Sequence, residues 1–416
     1  MDYLLEHKLV SSNQHGFLKR HSTTTNLLES LNDWTITLSN HRSVSVAYID
    51  FKSAFDCISH AKLLHKLSSY GITGNLWFWI KAFLSNRFQM VRVNSCFSSS
   101  CPVVSGVAQG SVLGPLLFNI FINDISDDLD TSTSAKLFAD DLKLYTEFTN
   151  TTPSNLQSQL NIIQQWASTW QLKISYTKCN ILTIGHHKTL PQFNLGSHLL
   201  LQATKAQDLD KTIDYDLRFT SHIHSLVTKA NQRSSLILRC FLSRDPANLV
   251  RAFKVYIRPL VEYASTTWSP SYVTLITLIE KVQKRFTKRV PGCSHLTYAD
   301  RLHKLKLQSL EHRRHIADLL MCYNILRENN CLNTSNYFII NKNTNLRGHS
   351  LKLTVPVAKL NARRYFFSNR VVPIWNSLPS ELILSPSVQS FKHKLTHINL
   401  NKFLNFPTHY LKTRIP

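Results

Sequence analysis

The chain has 416 residues, 43% of them hydrophobic and 10% aromatic, with a formal net charge of +23. That apolar content is too high for a disordered chain, and the length exceeds what one core usually holds, so two or three domains are expected. The eight cysteines (Cys57, Cys96, Cys101, Cys179, Cys240, Cys293, Cys322 and Cys331) form no CxxC pair and no Cys/His zinc spacing, so a zinc site is not indicated and free thiols in a reducing compartment are expected.

Charge is uneven along the chain. Residues 1–150 carry 12 Lys/Arg and 13 Asp/Glu, while residues 151–416 carry 36 and 12. A near-neutral front and a basic back suit a reaction module joined to a module that grips a polyanion; solubility alone is the plainer reading. The start, "MDYLLEHKLV", holds two acids and lacks the apolar core of a signal peptide. No run approaches the roughly 18 apolar residues of a membrane span. A soluble, intracellular protein without a membrane partner is expected.

In chain order, "STTTNLLESLNDWTITL" predicts a helix, with Ser22 or Thr23 as cap and Leu27, Leu28, Leu31, Trp34 and Leu38 at helical spacing. "SVSVAYID" alternates around Val44, Val46 and Tyr48 and predicts a strand ending at Asp50. Two short helices, "HAKLLHKLSSYG" and "NLWFWIKAFLSN", are followed by "FQMVRVN" and "CPVVSGV" as paired strands. "AQGSVLGPLLFNIFINDI" opens as a glycine-rich turn and continues as a helix. "KLFADDLKLY" predicts a hairpin with Asp140 and Asp141 at or near its tip. The helix "SNLQSQLNIIQQWASTW" and the strand "CNILTIG" follow. This order predicts an α+β fold, a split βαβ sheet with helices on one face. From about residue 222 the chain reads as helical and basic, with an Asn/Ser-rich linker or irregular region at 328–348.

The paired acids carry the chemistry. A carboxylate in an apolar hairpin needs water, a cation or a donor. Asp50 ends a strand of the same predicted sheet, and three converging acids repel unless cations sit among them. Hard oxygen ligands select Mg²⁺ or Mn²⁺. Two such ions about 4 Å apart suit an in-line displacement at phosphorus. Asp-Asp also suits a plain polar turn. Neighbouring strand residues point oppositely, so Asp140 is expected to bridge the ions and Asp141 to support from the periphery.

"YIDFKSAFD", "SGVAQGSVLGPLLF" and "FADD" occur in that order with helices between them. In this the sequence resembles the reverse transcriptases of non-LTR, LINE-type, jockey-like retrotransposons. The likeness extends through "NQHGFLKRHSTTTNLL", "LKISYTKCNILTI", "YIRPLVEYASTTWSP" and "RRYFFSNRVVPIWNSLP", nearly the whole chain. It implies an RNA-directed DNA polymerase with a right-hand fold: partial fingers and palm over 1–215, a helical thumb over 216–327 and a basic C-terminal region over 328–416. It implies two Mg²⁺ ions, an RNA template, a DNA primer and a dNTP, in a nuclear or cytoplasmic ribonucleoprotein.

By the resemblance, Asp50, Asp140 and Asp141 are the catalytic metal ligands. Phe55 is the ring that rejects a ribose 2′-hydroxyl; core packing is its alternative. Gln109 and Gly110 lie beside the incoming nucleotide, or form only a turn before a helix. Lys178 lies near the nucleotide phosphates, and Lys19 and Arg20 belong to the fingers. Asp56 reads as structural. Lys281, Lys284, Arg285, Lys288 and Arg289 suit a thumb helix that follows the primer–template backbone, or a solvated helix face.

Four departures stand against the family pattern. Its earlier fingers strand, of the "RPISL" type, and its endonuclease are not in the sequence, so an N-terminally truncated enzyme is expected. Ala108 stands in place of Pro, and Asp210 in place of a Gly in the primer-grip segment. The alternative expectation is a decayed, inactive fragment that keeps only nucleic-acid binding.

Overall fold

A computed structural model describes residues 2–152, 154–185, 190–341 and 349–406. They fall into two compact units. The first comprises residues up to Asn26 together with Asn40–Leu209; the second comprises Leu27–Ser39 and residues from Asp210 onward.

The first unit is built on a five-stranded sheet. Its strands β1 (Ser43–Ile49), β2 (Thr133–Phe138), β3 (Asp141–Phe148), β4 (Asn180–Ile184) and β5 (Leu201–Ala203) lie in the order β5–β4–β1–β3–β2. β1 runs antiparallel to both β3 and β4, β2 and β3 form a hairpin, and β5 is parallel to β4. The register sets Ala47 between Leu144 and Ile181, and Ile49 opposite Leu142. These apolar side chains join one core with α1 (His60–Ser69), α2 (Gly74–Leu84), α3 (Gly114–Ile122) and α4 (Leu156–Trp170), through Leu63, Leu84, Phe121 and Ile163. Phe121 is wholly buried, and truncation to Ala there would cost about 3–5 kcal/mol.

All seven residues of β1 are buried. The strand is central, and its second face, with Val44 and Val46 beside Leu182 and Ile184, is covered as well. Local chemistry sets the helix ends. Ser59 caps α1 by accepting from the Lys62 N–H, and Pro115 lies in the first turn of α3, where its missing N–H costs nothing. Phe88–Gln89 pairs with Cys101–Pro102, as expected, and Arg92–Val93 pairs with Cys96–Phe97 inside it.

β2 is an edge strand, and residues 13–15 cover its free edge. The His15 N–H donates to the Leu137 carbonyl at 2.9 Å and the Leu137 N–H to the Asn13 carbonyl at 2.8 Å. Gln14 and Leu137 form a parallel bridge.

The second unit is helical. α5 (Thr220–Cys240), α6 (Val273–Lys288) and α7 (Leu310–Leu326) form its frame, with α6 packed on both others. The buried Glu280 of α6 accepts the Tyr298 hydroxyl and, at 3.0 Å, the Leu310 N–H that opens α7. Asp318 takes a forked pair of bonds from Arg370 at 2.9 and 2.8 Å. The helix Thr23–Ser39 buries Leu27, Leu28, Leu31 and Trp34, and Ser22 caps it by accepting from the Thr25 N–H at 3.2 Å. Within the Asn/Ser-rich stretch, a short helix, Thr334–Tyr337, is followed by buried Phe338; residues 342–348 of that stretch lie outside the described residues.

Candidate active site

Asp50 directly follows β1 and shares the side of Tyr48. Its carbonyl accepts the Ser175 N–H at 2.8 Å, which ties the strand end to the loop before β4. Asp50 Oδ1 is buried and has no hydrogen-bond partner. The Lys178 ammonium stands 3.3 Å from it as an ion pair. That lysine is 67% exposed, so the pair contributes little, about 0–1 kcal/mol.

The hairpin tip carries the other two acids. Phe138 pairs with Asp141, leaving Ala139 and Asp140 as the two-residue connection. Ala139 has φ +57. A positive φ at the first tip residue alone is the signature of a type II′ connection, where glycine is the usual occupant.

Both carboxyls are pushed up. Desolvation raises Asp140, its own backbone N–H lowers it, and the Asp50 charge adds to the rise while Lys178 opposes it. Asp141 is raised to about 6 by desolvation and by the charges of Asp140, Asp208 and Asp50, against Lys143. Among the described residues the three carboxylates do not all come within 4.8 Å of one another, so the group stands open. A buried carboxylate oxygen balanced only by an exposed lysine, beside mutually repelling acids, fits hard divalent cations.

Phe55 is half-buried. Its ring stacks on Phe118 of α3 with centroids 4.1 Å apart and meets Phe17 edge-on at 6.1 Å. The ring is clamped from within by this packing, as the core-packing alternative expects. The Phe55 carbonyl accepts the Val107 N–H at 2.9 Å, which joins this turn to the glycine-rich loop.

In that loop, Gln109 Nε2 donates to Asp56 Oδ1 at 2.7 Å. Asp56, expected to be structural, thus holds the Gln109 amide. Gly110 has φ +84, and a Cβ there would meet nothing within 4 Å. The close approach occurs instead at Gly106, where a Cβ would lie 2.7 Å from the Asp56 backbone. Ala108, at the position expected to hold Pro, accepts the Ser111 N–H and hydroxyl through its carbonyl.

Lys19 and Arg20 are exposed, Arg20 with φ +67. In the second unit, Lys281, Arg285 and Lys288 follow one exposed face of α6, with Arg289 at its end. Lys284 departs from that set. It is half-buried, and its carbonyl accepts Arg301 Nη2 at 3.4 Å. Asp210 does not break its turn: Leu209 and Asp210 have φ +47 and +66, a conformation Asp tolerates better than most residues.

Sequence reasoning missed Lys143 and Asp208. They form an ion pair of 2.7 Å with side chains 4% and 5% exposed, two residues along β3 from Asp141. A charge inside the apolar run "LKLY" was the available signal.

The family model described as "Reverse transcriptase (RNA-dependent DNA polymerase)" matches residues 1–216. The chain belongs to the reverse transcriptase family. Within it the resemblance is to jockey-like, non-LTR elements. The "RNA-directed DNA polymerase from mobile element jockey" of Drosophila melanogaster is 26% identical over 297 residues, 68% of this chain and 32% of that protein. Its Drosophila funebris counterpart is 28% identical, over 67% and 32%. The "Probable RNA-directed DNA polymerase from transposon BS" of Drosophila melanogaster is 27% identical, over 74% and 36%. This reverse transcriptase chain thus spans about a third of the length of the relatives it matches. A telomerase structure from Candida tropicalis aligns with a TM-score of 0.42 at 9% identity, over 96% of this chain and 56% of that one; so low a score carries no argument. Among the described residues no helix is long and apolar enough to cross a membrane.

Proposed function

We propose that this chain extends a DNA primer along an RNA template by nucleotidyl transfer from a dNTP, as the polymerase portion of a non-LTR retrotransposon protein. The observation that carries the reading is the grouping of Asp50, Asp140 and Asp141 at a strand end and a hairpin tip of one sheet, where Asp50 Oδ1 has no hydrogen bond and faces the ammonium of an exposed lysine, Lys178. In this reading residues 1–215 are partial fingers and palm of a right-hand fold, 216–327 the thumb and 328–416 a basic extension.

Asp50 and Asp140 would hold two Mg²⁺ ions, or Mn²⁺ in their place, with Asp141 in support. Bound there, the ions supply the charge that favours attack by the primer 3′-hydroxyl and departure of pyrophosphate. The chain's own groups do the rest. Phe55, braced by Phe118, sits under the sugar and rejects a 2′-hydroxyl by contact. Gln109, oriented by Asp56, and the open backbone at Gly110 border the nucleotide. Lys178 offers its ammonium to the triphosphate. Lys19 and Arg20 meet phosphates from the fingers. Lys281, Arg285, Lys288 and Arg289 follow the duplex backbone, so binding is salt-sensitive and tolerant of sequence.

The test is primer extension by the purified chain on an RNA template with a DNA primer and Mg²⁺, beside Asp140→Asn. Extension that the variant loses supports the polymerase. Salt-sensitive duplex binding without extension in either protein points instead to a fragment that has lost its chemistry.

A further inference from the structure

The catalytic hairpin ends in a strained residue, and a buried amide from far along the chain holds it. Gln14 is 2% exposed. Its Oε1 accepts the Ala139 N–H at 2.9 Å and the Gly16 N–H at 2.6 Å, and its Nε2 donates to the Ala139 carbonyl at 3.4 Å. One side chain therefore grips both backbone groups of the residue with φ +57.

Gly16 completes the grip. A Cβ at Gly16 would lie 2.3 Å from the Ala139 nitrogen, so no other residue fits without moving the tip. The Gly16 carbonyl is held in turn by Asn119 Nδ2 of α3 at 2.8 Å, and Asn26 Nδ2 reaches the Leu137 carbonyl, two residues before Ala139, at 3.0 Å. The segment is a wedge between α3 and the hairpin. A left-handed Ala costs free energy that the surroundings must supply. The supply here comes from the Gln14 amide.

We propose that Gln14, backed by Gly16, is a positioning residue of the polymerase site, which fixes the Ala139 backbone and thereby aims the Asp140 carboxylate. The inference rests on the polymerase reading for its effect on rate, but not for its effect on the hairpin. Gln14 touches no reacting atom. It acts only through the backbone of the residue before Asp140.

Three measurements on the full chain test it: primer extension, Mn²⁺ affinity, and hydrogen exchange at the Ala139 amide. The variants are Gln14→Met, Gln14→Glu and Gly16→Ala, with Asp140→Asn as the inactive control. Gln14→Met keeps length and loses the bonds. It is expected to lower kcat and Mn²⁺ affinity by about 10–100-fold, the usual effect of removing a group that orients a ligand, with a KM for dNTP near that of the parent. Its Ala139 amide exchanges faster. Gln14→Glu keeps an acceptor for both N–H groups but loses the donor to the Ala139 carbonyl, so it is expected to lose less activity than Gln14→Met. Gly16→Ala displaces the tip and behaves like Gln14→Met.

A folded Gln14→Met with parental Mn²⁺ affinity and Ala139 exchange overturns the proposal. So does equal loss in the Met and Glu variants, which would mark Gln14 as a general core residue. If the parent extends no primer, the polymerase reading fails by itself. Ala139 exchange in Gln14→Met then still decides the claim: faster exchange upholds the grip, unchanged exchange removes it.

Discussion

Lys143 and Asp208 face each other at 2.7 Å with almost no solvent contact, on the side of β3 that also carries Asp141. Burial lowers the lysine's pKa while the Asp208 charge opposes that change. A buried pair is weak evidence for stability, because desolvation offsets the attraction. Breaking one partner is another matter. Lys143→Met leaves Asp208 uncompensated and should cost about 3–5 kcal/mol, whereas Lys143→Met with Asp208→Leu should recover most of it. Urea unfolding of the two singles and the double is the check; additive losses would show that the two side chains are not coupled.

Lys66 gives a pH prediction. Its ammonium is enclosed by Phe121, Trp166 and Trp170, with the Trp170 ring centroid 3.7 Å away, and it bonds to Asp124. Desolvation lowers its pKa to about 8, against the pull of Asp124. The folded state holds this proton less tightly than the unfolded chain does. The resulting penalty is full below pH 8 and disappears as pH rises toward the unfolded value of about 10.4. Stability of the parent relative to Lys66→Met should therefore rise across that window, by up to about 3 kcal/mol. Urea midpoints at pH 7.5, 9 and 10 measure it. A difference that stays flat would mean that the ammonium is as well solvated as in the unfolded chain.

Phe55 should set sugar selectivity. Phe55→Val removes the ring and should raise ribonucleotide incorporation relative to deoxynucleotide by about 10–200-fold, the range for one steric contact. Phe118→Leu, which removes the ring beneath it, should produce a smaller change in the same direction. Selectivity ratios from single-nucleotide extension decide this, and an unchanged ratio in Phe55→Val returns the ring to core packing.

The basic face of α6 makes a different claim. Replacing Lys281, Arg285 or Lys288 by Ala should each lower the slope of log K against log salt by about 1 for a primer–template duplex. Lys284, half-buried with its carbonyl bonded to Arg301, should change the slope less. Slopes equal to the parent's in all four variants would show that the face is only solvated.

Much of the candidate site was legible because its signals are local. Acids in an apolar hairpin, a strand ending in Asp50 and a glycine-rich turn before a helix each declare themselves within ten residues. Lys143 did not, because a lone charge in an alternating strand reads as solvent-facing until its partner, 65 residues away, is known. Gly16 was opaque for the same reason: nothing beside it in "QHGF" reveals that Ala139 stands against it. The burial of β1 on both faces escaped because alternation reports one covered face and is silent about the other. Helical spacing grouped Lys284 with its exposed neighbours, since both lie within one turn.

The strip at residues 13–15 also guards the molecule against its own kind. Without it, the Leu137 N–H would lose its partner and this end of β2 would lie bare at the border of the sheet, three residues before Asp140. Such a border recruits strands from other copies. A chain trimmed past Gly16 should therefore fail first by self-association during expression, before any question of catalysis arises, even though Asp50, Asp140 and Asp141 would all still be there.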